Sequence, residues 1–215
     1  MLKHRLSTID YKMIKSEKYF LLIFVAIWIM ALLFLLIVGK IESHLLLNSY
    51  HTQWFDTFFK YFTQIGGWVP CAVAGILLLF RKWRVATVIL VGQLVATFIT
   101  SPLKRIFHAP RPSVVLSELG IEFPIIEGVD LHSTLSFPSG HTSAVFSFCF
   151  ALAIFCPKWW QKILCLLIAI LGGYSRIYLS QHFIEDVLAG SVIGIISVLI
   201  LIPLVNKLKE YNKTT

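Results

Sequence analysis

Charge is scarce in this sequence. Asp, Glu, Lys and Arg make up 14% of its 215 residues, against 57% hydrophobic. A soluble domain carries about 25% charged residues, so an ordinary water-soluble protein is excluded and a membrane protein is expected. Cysteine is sparse as well. Cys71, Cys149, Cys156 and Cys165 lie in or at the ends of apolar stretches without metal-ligand spacing, and they read as packing residues. Internal repeats and low-complexity segments are missing. The net charge of +8 does not amount to a nucleic-acid surface, because the basic residues are scattered between apolar segments rather than gathered on one face.

Six apolar segments are present: Tyr19–Val38, Tyr61–Phe80, Val85–Leu103, Ser139–Cys156, Trp159–Tyr174 and Val187–Val205. Each approaches the ~20 residues needed to cross a hydrocarbon core. The second is weakened at its start by Thr63, Gln64, Gly66 and Gly67 and carries Pro70. The first is too long for a signal-peptide core and lacks a small-residue cleavage site, so it stays as a spanning helix. The fold class expected is therefore all-α: a polytopic membrane protein with six transmembrane helices in a single domain, residues 1–215.

Basic residues orient the bundle. One set of ends carries Lys3, Arg5, Lys12, Lys15, Lys18, Arg81, Lys82, Arg84, Lys158, Lys162, Lys207, Lys209 and Lys213, which is thirteen; the other carries Lys40, Lys60, Lys104, Arg105, Arg111 and Arg176, which is six. The positive-inside rule makes the basic N-terminus 1–18 and the tail 206–215 cytoplasmic. Three connections then face outward, Gly39–Lys60, Lys104–Pro138 and Ser175–Asp186. The long polar one, 104–138, between helices three and four, is expected to cap the outer face with some short helix. A compact chain of this size suits a plasma membrane.

Three polar clusters interrupt the apolar background. In SRIYLSQHFIED, Ser175–Asp186, Arg176 precedes His182 by six residues and Asp186 follows the histidine by four. That is one helical turn, so the carboxylate reaches the imidazole if a helix begins near Phe183. Holding one ring nitrogen as a donor frees the other to act as base, nucleophile or metal ligand. The alternative is a snorkelling arginine with a histidine and an aspartate at a helix start. In KRIFHAPRP, Lys104 and Arg111 stand against the charge bias of the other loops. Their donors match phosphate oxygens, and Pro110 and Pro112 stiffen the backbone around Arg111. Anchoring to lipid head groups would also explain them. In Phe137–His141, Ser139 can cap a helix whose free N–H groups form an anion site, Gly140 lets a ligand approach, and His141 points into the same space. Ordinary capping is the alternative.

The predicted topology brings all three clusters to one face. Lys104, Arg111 and Arg176 supply cations, Ser139 and Gly140 neutral donors, and His141 and His182 two groups that titrate near neutrality. That combination points to phosphoryl transfer. His108, His132, His44 and His51 read as loop or interface residues, and Glu185 turns about 100° away from Asp186 on a helix.

The patterns K-x6-R-P at Lys104–Pro112, P-S-G-H at Pro138–His141 and S-R-x5-H-x3-D at Ser175–Asp186 resemble the three-part signature of the type 2 phosphatidic acid phosphatase superfamily. All three parts are intact and in order. The resemblance implies that His182 is the nucleophile and forms a phosphohistidine, with Asp186 orienting it. It implies that His141 is the general acid and then the base that activates water, and that Lys104, Arg111, Ser139, Gly140 and Arg176 bind the phosphate oxygens. It also implies catalysis without a metal or other cofactor, in line with the lack of a carboxylate cluster suited to magnesium. The soluble vanadium haloperoxidases share this pocket, but six apolar spans argue against one. The substrate implied is a membrane lipid phosphate in the bilayer, with phosphatidylglycerophosphate favoured and undecaprenyl pyrophosphate second. No nucleic acid and no obligate protein partner are expected. A lipid carrier would use the same cations but leaves His141 and the His182–Asp186 pair without a purpose. A channel would want ionisable groups at mid-membrane, where Gln93 is the conspicuous polar residue.

Overall fold

The computed structural model describes residues 2–203, with the side chains of residues 17–203 except Arg81. The tail 206–215, with Lys207, Lys209 and Lys213, lies outside these residues, as does the end of the segment expected at Val187–Val205. The side chains of Lys3, Arg5, Lys12 and Lys15 are likewise outside the description.

Helices make up all the regular structure among the described residues: α1 (Leu2–Val38), α2 (Lys40–Leu47), α3 (Gln53–Phe62), a 3-10 turn at Thr63–Gly66, α4 (Trp68–Phe107), α5 (Pro112–Glu118), α6 (Gly140–Phe155), α7 (Trp159–Tyr178) and α8 (Ile184–Leu199). Within the Glu17–Val38 part of α1, an 18-residue window has a mean hydropathy of 3.3 and is 6% buried. This part of the helix turns Leu22, Met30, Leu36 and Ile37 outward. Water would make that arrangement costly, at about 1.5–3 kcal/mol for each large apolar side chain left uncovered, whereas lipid does not. By length and composition three helical stretches suffice to cross a membrane, Glu17–Val38, Lys82–Glu118 and Trp159–Tyr178, and a bent pair makes up to four. The helices α6 and α8 are apolar and have 16 residues each.

The bent pair is where the segment expected over Tyr61–Phe80 departs from one helix. Tyr61 and Phe62 end α3, and α4 restarts at Trp68 after a bend of 56°. Gly66 and Gly67 supply the break, since each disfavours a helix by about 1 kcal/mol relative to alanine. Gly66 also has a packing reason: a Cβ there would lie 2.7 Å from the carbonyl oxygen of His141. Helix α4 is itself interrupted at Lys82 (φ −142°, ψ 56°), inside the basic stretch RKWR. Gly75 before the break meets Leu90 after it, so the two arms lie side by side.

Helix α6 is the centre of the bundle, packed by α4, α7 and α8. Its neighbours approach through small residues, as membrane helices do. A Cβ on Gly190 would lie 2.5 Å from the Ser139 carbonyl oxygen, and one on Gly194 2.5 Å from that of Ser143. The fully buried Val145, Phe150 and Ala151 of α6 share one core with the fully buried Val88 of α4, Ala169 of α7 and Val198 of α8. Helix α1 leans on this core through Phe20 and Phe24, and its Trp28 Nε1 donates to the Leu188 carbonyl (3.1 Å).

The stretch from α2 to α3 is fastened to the end of α7. Asn48 Nδ2 donates to the last carbonyls of the helix, that of Tyr178 (2.6 Å) and that of Ile177 (3.0 Å), which also accepts from Ser180 N (3.0 Å). The Tyr174 hydroxyl donates to Leu47 O (3.0 Å) and that of Tyr178 to Asp56 Oδ1 (2.6 Å). Helix α7 runs past the expected Tyr174, so Ser175 and Arg176 occupy its last turn.

Candidate active site

Three helix ends meet here. Helix α6 starts at Gly140 because Ser139 caps it: the Ser139 Oγ accepts from Thr142 N (3.3 Å) and from Thr142 Oγ1 (2.8 Å). Both bonds use the oxygen as acceptor, so the Ser139 O–H is still available to donate. Helix α8 starts at Ile184, with Phe183 as its cap residue and Asp186 on its first turn. Asp186 Oδ2 accepts from Phe183 N (3.0 Å), the return half of a capping box. The two starts are joined directly, Ser139 N–H donating to the Asp186 carbonyl (3.0 Å). From the third end, the last turn of α7, the Arg176 carbonyl accepts from Gln181 N (2.9 Å) and His182 N (3.1 Å). Those two bonds fold the intervening loop back onto the helix, with Ser180 left-handed at φ 50°.

His182 is 1% exposed, and its Nδ1 lies 3.2 Å from Asp186 Oδ2. A carboxylate at Nδ1 holds the proton there and leaves Nε2 as a lone pair. Burial pushes the His182 pKa well below its usual 6.5, and the positive charges of Arg176, Arg111 and Lys104 add to the effect. The ring is therefore neutral at neutral pH, the form that can attack. Asp186 lies four residues on, against the histidine, and Glu185 turns away to pair with Lys40 at 2.6 Å.

All three cations are gripped by neutral oxygens. Lys104 Nζ donates to Leu135 O (2.6 Å). Arg111 donates from Nε to Thr134 O (3.0 Å), and from one terminal nitrogen to Gln181 O (3.0 Å) and Gln181 Oε1 (3.1 Å). Arg176 donates to Thr63 Oγ1 (2.7 Å), and its buried Nε has no partner. Among the described residues none of the three forms an ion pair; the carboxylate nearest the cluster, Asp186, is taken up by His182, Phe183 and Ser136. Burying a charge without an opposite partner costs several kcal/mol, so an anion is what this cluster is short of.

Gly140 and His141 complete the group. A Cβ on Gly140 would lie 3.6 Å from Lys104 Cε, so the lysine passes over the start of α6. His141 is close enough to interact electrostatically with Arg176, His182, Arg111 and Lys104. All eight residues expected from the sequence thus gather around the ends of α6, α7 and α8. The sequence alone did not point to Thr63, Ser136 and Gln181. Gln181 adjoins His182 and Ser136 stands three before Ser139, which was the one available signal; Thr63 came from a stretch that read as the start of a span. The remaining histidines divide. His108 is an exposed, left-handed cap of α4 (φ 42°) and His132 is exposed. His51 binds Asp56 (2.7 Å), and His44 is fully buried against Phe183, which interface polarity does not explain. No group of three His, Cys, Asp or Glu among the described residues is placed to hold a metal.

Residues 82–210 match the PAP2 superfamily. The chain belongs to this family. Among relatives of this PAP2 protein is a lipid A 4'-phosphatase of Bacteroides thetaiotaomicron, 30% identical over 166 residues, 73% of each chain. An undecaprenyl-diphosphatase of Sulfolobus acidocaldarius is 26% identical over 190 residues, 78% of this chain and 85% of the relative. The fold is similar to the crystal structure of a transmembrane PAP2 type phosphatidylglycerolphosphate phosphatase from Bacillus subtilis, with a TM-score of 0.60 and 22% identity over 95% of this chain and 97% of that one. This PAP2 protein is accordingly a membrane-embedded lipid phosphatase, a hydrolase of lipid phosphates.

Proposed function

We propose that the protein hydrolyses a membrane lipid phosphate through a phosphohistidine. Nε2 of His182 attacks phosphorus as the bond to the lipid oxygen breaks, and His141, protonated once the negative phosphate lies beside it, gives that oxygen its proton. His141 then takes a proton from water, whose oxygen attacks the phosphohistidine, releasing phosphate and restoring Nε2. Asp186 holds Nδ1–H and balances the charge that His182 gains. Lys104, Arg111 and Arg176, the hydroxyl of Ser139 and the backbone at Gly140 take the phosphate oxygens, where charge builds in the transition state. One observation supports this above the others: three cations without a carboxylate partner surround a buried, neutral histidine that is itself held by a carboxylate. A carrier would use the cations but has no need of the pair.

Six crossings in one domain, with both termini cytoplasmic, the 104–138 loop outside and the site at the outer face, remain the reading of topology supported by the basic-residue bias. Phosphatidylglycerophosphate is the substrate favoured from the sequence. Undecaprenyl diphosphate and lipid A are its competitors, from the relatives at 26% and 30% identity. Purified protein in detergent with EDTA, offered each of the three lipids beside a His182→Ala control, tests mechanism and substrate together. Release by the wild type alone supports the mechanism, and the relative rates rank the lipids. Activity that needs added magnesium would overturn the metal-free reading, and binding without release would favour the carrier.

A further inference from the structure

We infer that Ser136 is a positioning residue for hydrolysis, its hydroxyl acting with Asp186 to hold the Nδ1 proton of His182 and keep Nε2 free for attack. The inference rests on His182 being the nucleophile.

Ser136 is fully buried, and its Oγ–H donates to Asp186 Oδ2 at 2.6 Å. The same Oγ lies 3.3 Å from His182 Nδ1, while Nδ1 to Asp186 Oδ2 is 3.2 Å. A bond between an imidazole and an ionised carboxylate is usually nearer 2.7–2.9 Å. The long contact has a cause: Oδ2 also takes the Ser136 hydroxyl and the Phe183 N–H. With its hydrogen committed to Asp186, Ser136 Oγ has only lone pairs to turn toward Nδ1. The Nδ1 proton is therefore shared between two oxygens. A flipped ring would put a C–H against both, so the pair fixes tautomer and ring orientation from two sides.

The rest of the stretch 133–136 serves the cations. Ser133 O accepts from Arg111 N (3.0 Å), Thr134 O from Arg111 Nε (3.0 Å), Leu135 O from Lys104 Nζ (2.6 Å), and Ser136 N donates to Ala109 O (3.0 Å). Leu135 is left-handed at φ 59°. That conformation costs a leucine about 1–2 kcal/mol and persists where the surroundings over-determine it. The two parts of the site hang on different groups: the cations on backbone carbonyls and on the side chains of Gln181 and Thr63, the His182 ring on Asp186 and the Ser136 hydroxyl. Removing that hydroxyl separates the two.

The test measures lipid phosphate release by the full chain in detergent, as Ser136→Ala and Ser136→Cys, alone and combined with Asp186→Asn. The cysteine keeps the side chain's shape with a much weaker donor, so it decides the question even where alanine disturbs folding. Each single variant is expected to lower kcat about 10- to 100-fold, as loss of a group that orients a reactive histidine does. KM and the inhibition constant of inorganic phosphate should move by less than about threefold, because the cradle is untouched. On the Asp186→Asn background the further loss should be below about threefold, since both groups act through one proton. Near wild-type kcat in both single variants overturns the inference. So does a phosphate inhibition constant that rises in step with the loss of kcat, which would make Ser136 part of the cradle's scaffold. An inactive His182→Ala beside Ser136→Ala and Ser136→Cys proteins of near wild-type kcat sinks this inference alone; a His182→Ala protein that still turns over sinks the nucleophile assignment beneath it.

Discussion

Buried cations occur at both ends of helix α7, and they are treated differently. Near its start, Lys162 is bonded to Glu17 and to the Ala153 carbonyl (3.0 Å), so its charge is matched by a carboxylate and α1 is tied to the bundle. Near its end, Arg176 has a threonine hydroxyl and an unused Nε, with Arg111 and Lys104 close by and held by carbonyls. One end of the helix is electrostatically complete and the other is short of negative charge. A closed pair is an element of stability, whereas an open cluster is a binding site held ready by neutral groups that orient the cations without neutralising them.

The strongest way to break this comparison is at its chemical centre. His182→Ala should cut phosphate release by at least about 10⁴-fold, the scale of removing a covalent nucleophile, while the purified protein stays monodisperse; turnover near wild type would remove the nucleophile. Arg176→Ala should cost about 10²–10³-fold in kcat, as loss of a preorganised donor to developing charge does, and steady-state rates against the wild type would measure it. A loss confined to KM would mean that Arg176 only binds. The third effect is one of pH. The free enzyme's His182 titrates well below 6.5, so its acid limb in kcat/KM should fall below pH 6.5. The sign for stability agrees: the unfolded chain takes up this proton first, so the contribution of neutral His182 is intact above pH 6.5 and is lost as pH falls toward the lower folded value. A kcat/KM limb with its midpoint at or above 6.5 would show that burial and the cations do not act on the nucleophile. The smallest effect on turnover belongs to the closed pair. Lys162→Met should leave kcat unchanged while destabilising the protein by about 3–5 kcal/mol, the usual penalty for leaving one partner of a buried pair alone. Thermal unfolding in detergent would read it, and an unshifted midpoint would show that the pair carries no stability.

Much of this was legible in the sequence, for a physical reason. Reactive residues sat at helix ends, where charge, capping residues and breaks in hydropathy coincide; Asp186 four after His182 and Ser139 just before α6 are spacings that local geometry enforces. What stayed hidden is tertiary. Gln181 grips Arg111 across 70 residues, Thr63 grips Arg176 across 113, and Ser136 reaches Asp186 across 50. No local period reveals such pairs. The break at Gly66–Gly67 was visible as a weakness but not as a bend, because the hydropathy of Tyr61–Phe80 runs on through it. His44 shows the same limit, since a histidine in a short polar connection carries no mark of being enclosed against Phe183.

One oxygen atom ties folding to chemistry here. Asp186 Oδ2 receives the Phe183 N–H that begins α8 and also faces the ring nitrogen of His182. The register in which that helix nucleates therefore sets the direction in which the histidine presents its lone pair. A start displaced by one residue would leave the bundle apolar and packable yet turn the ring from its target. Position 186 cannot be optimised for helix stability and for turnover separately: any replacement that only caps, or only hydrogen-bonds the imidazole, gives up half of what the carboxylate does.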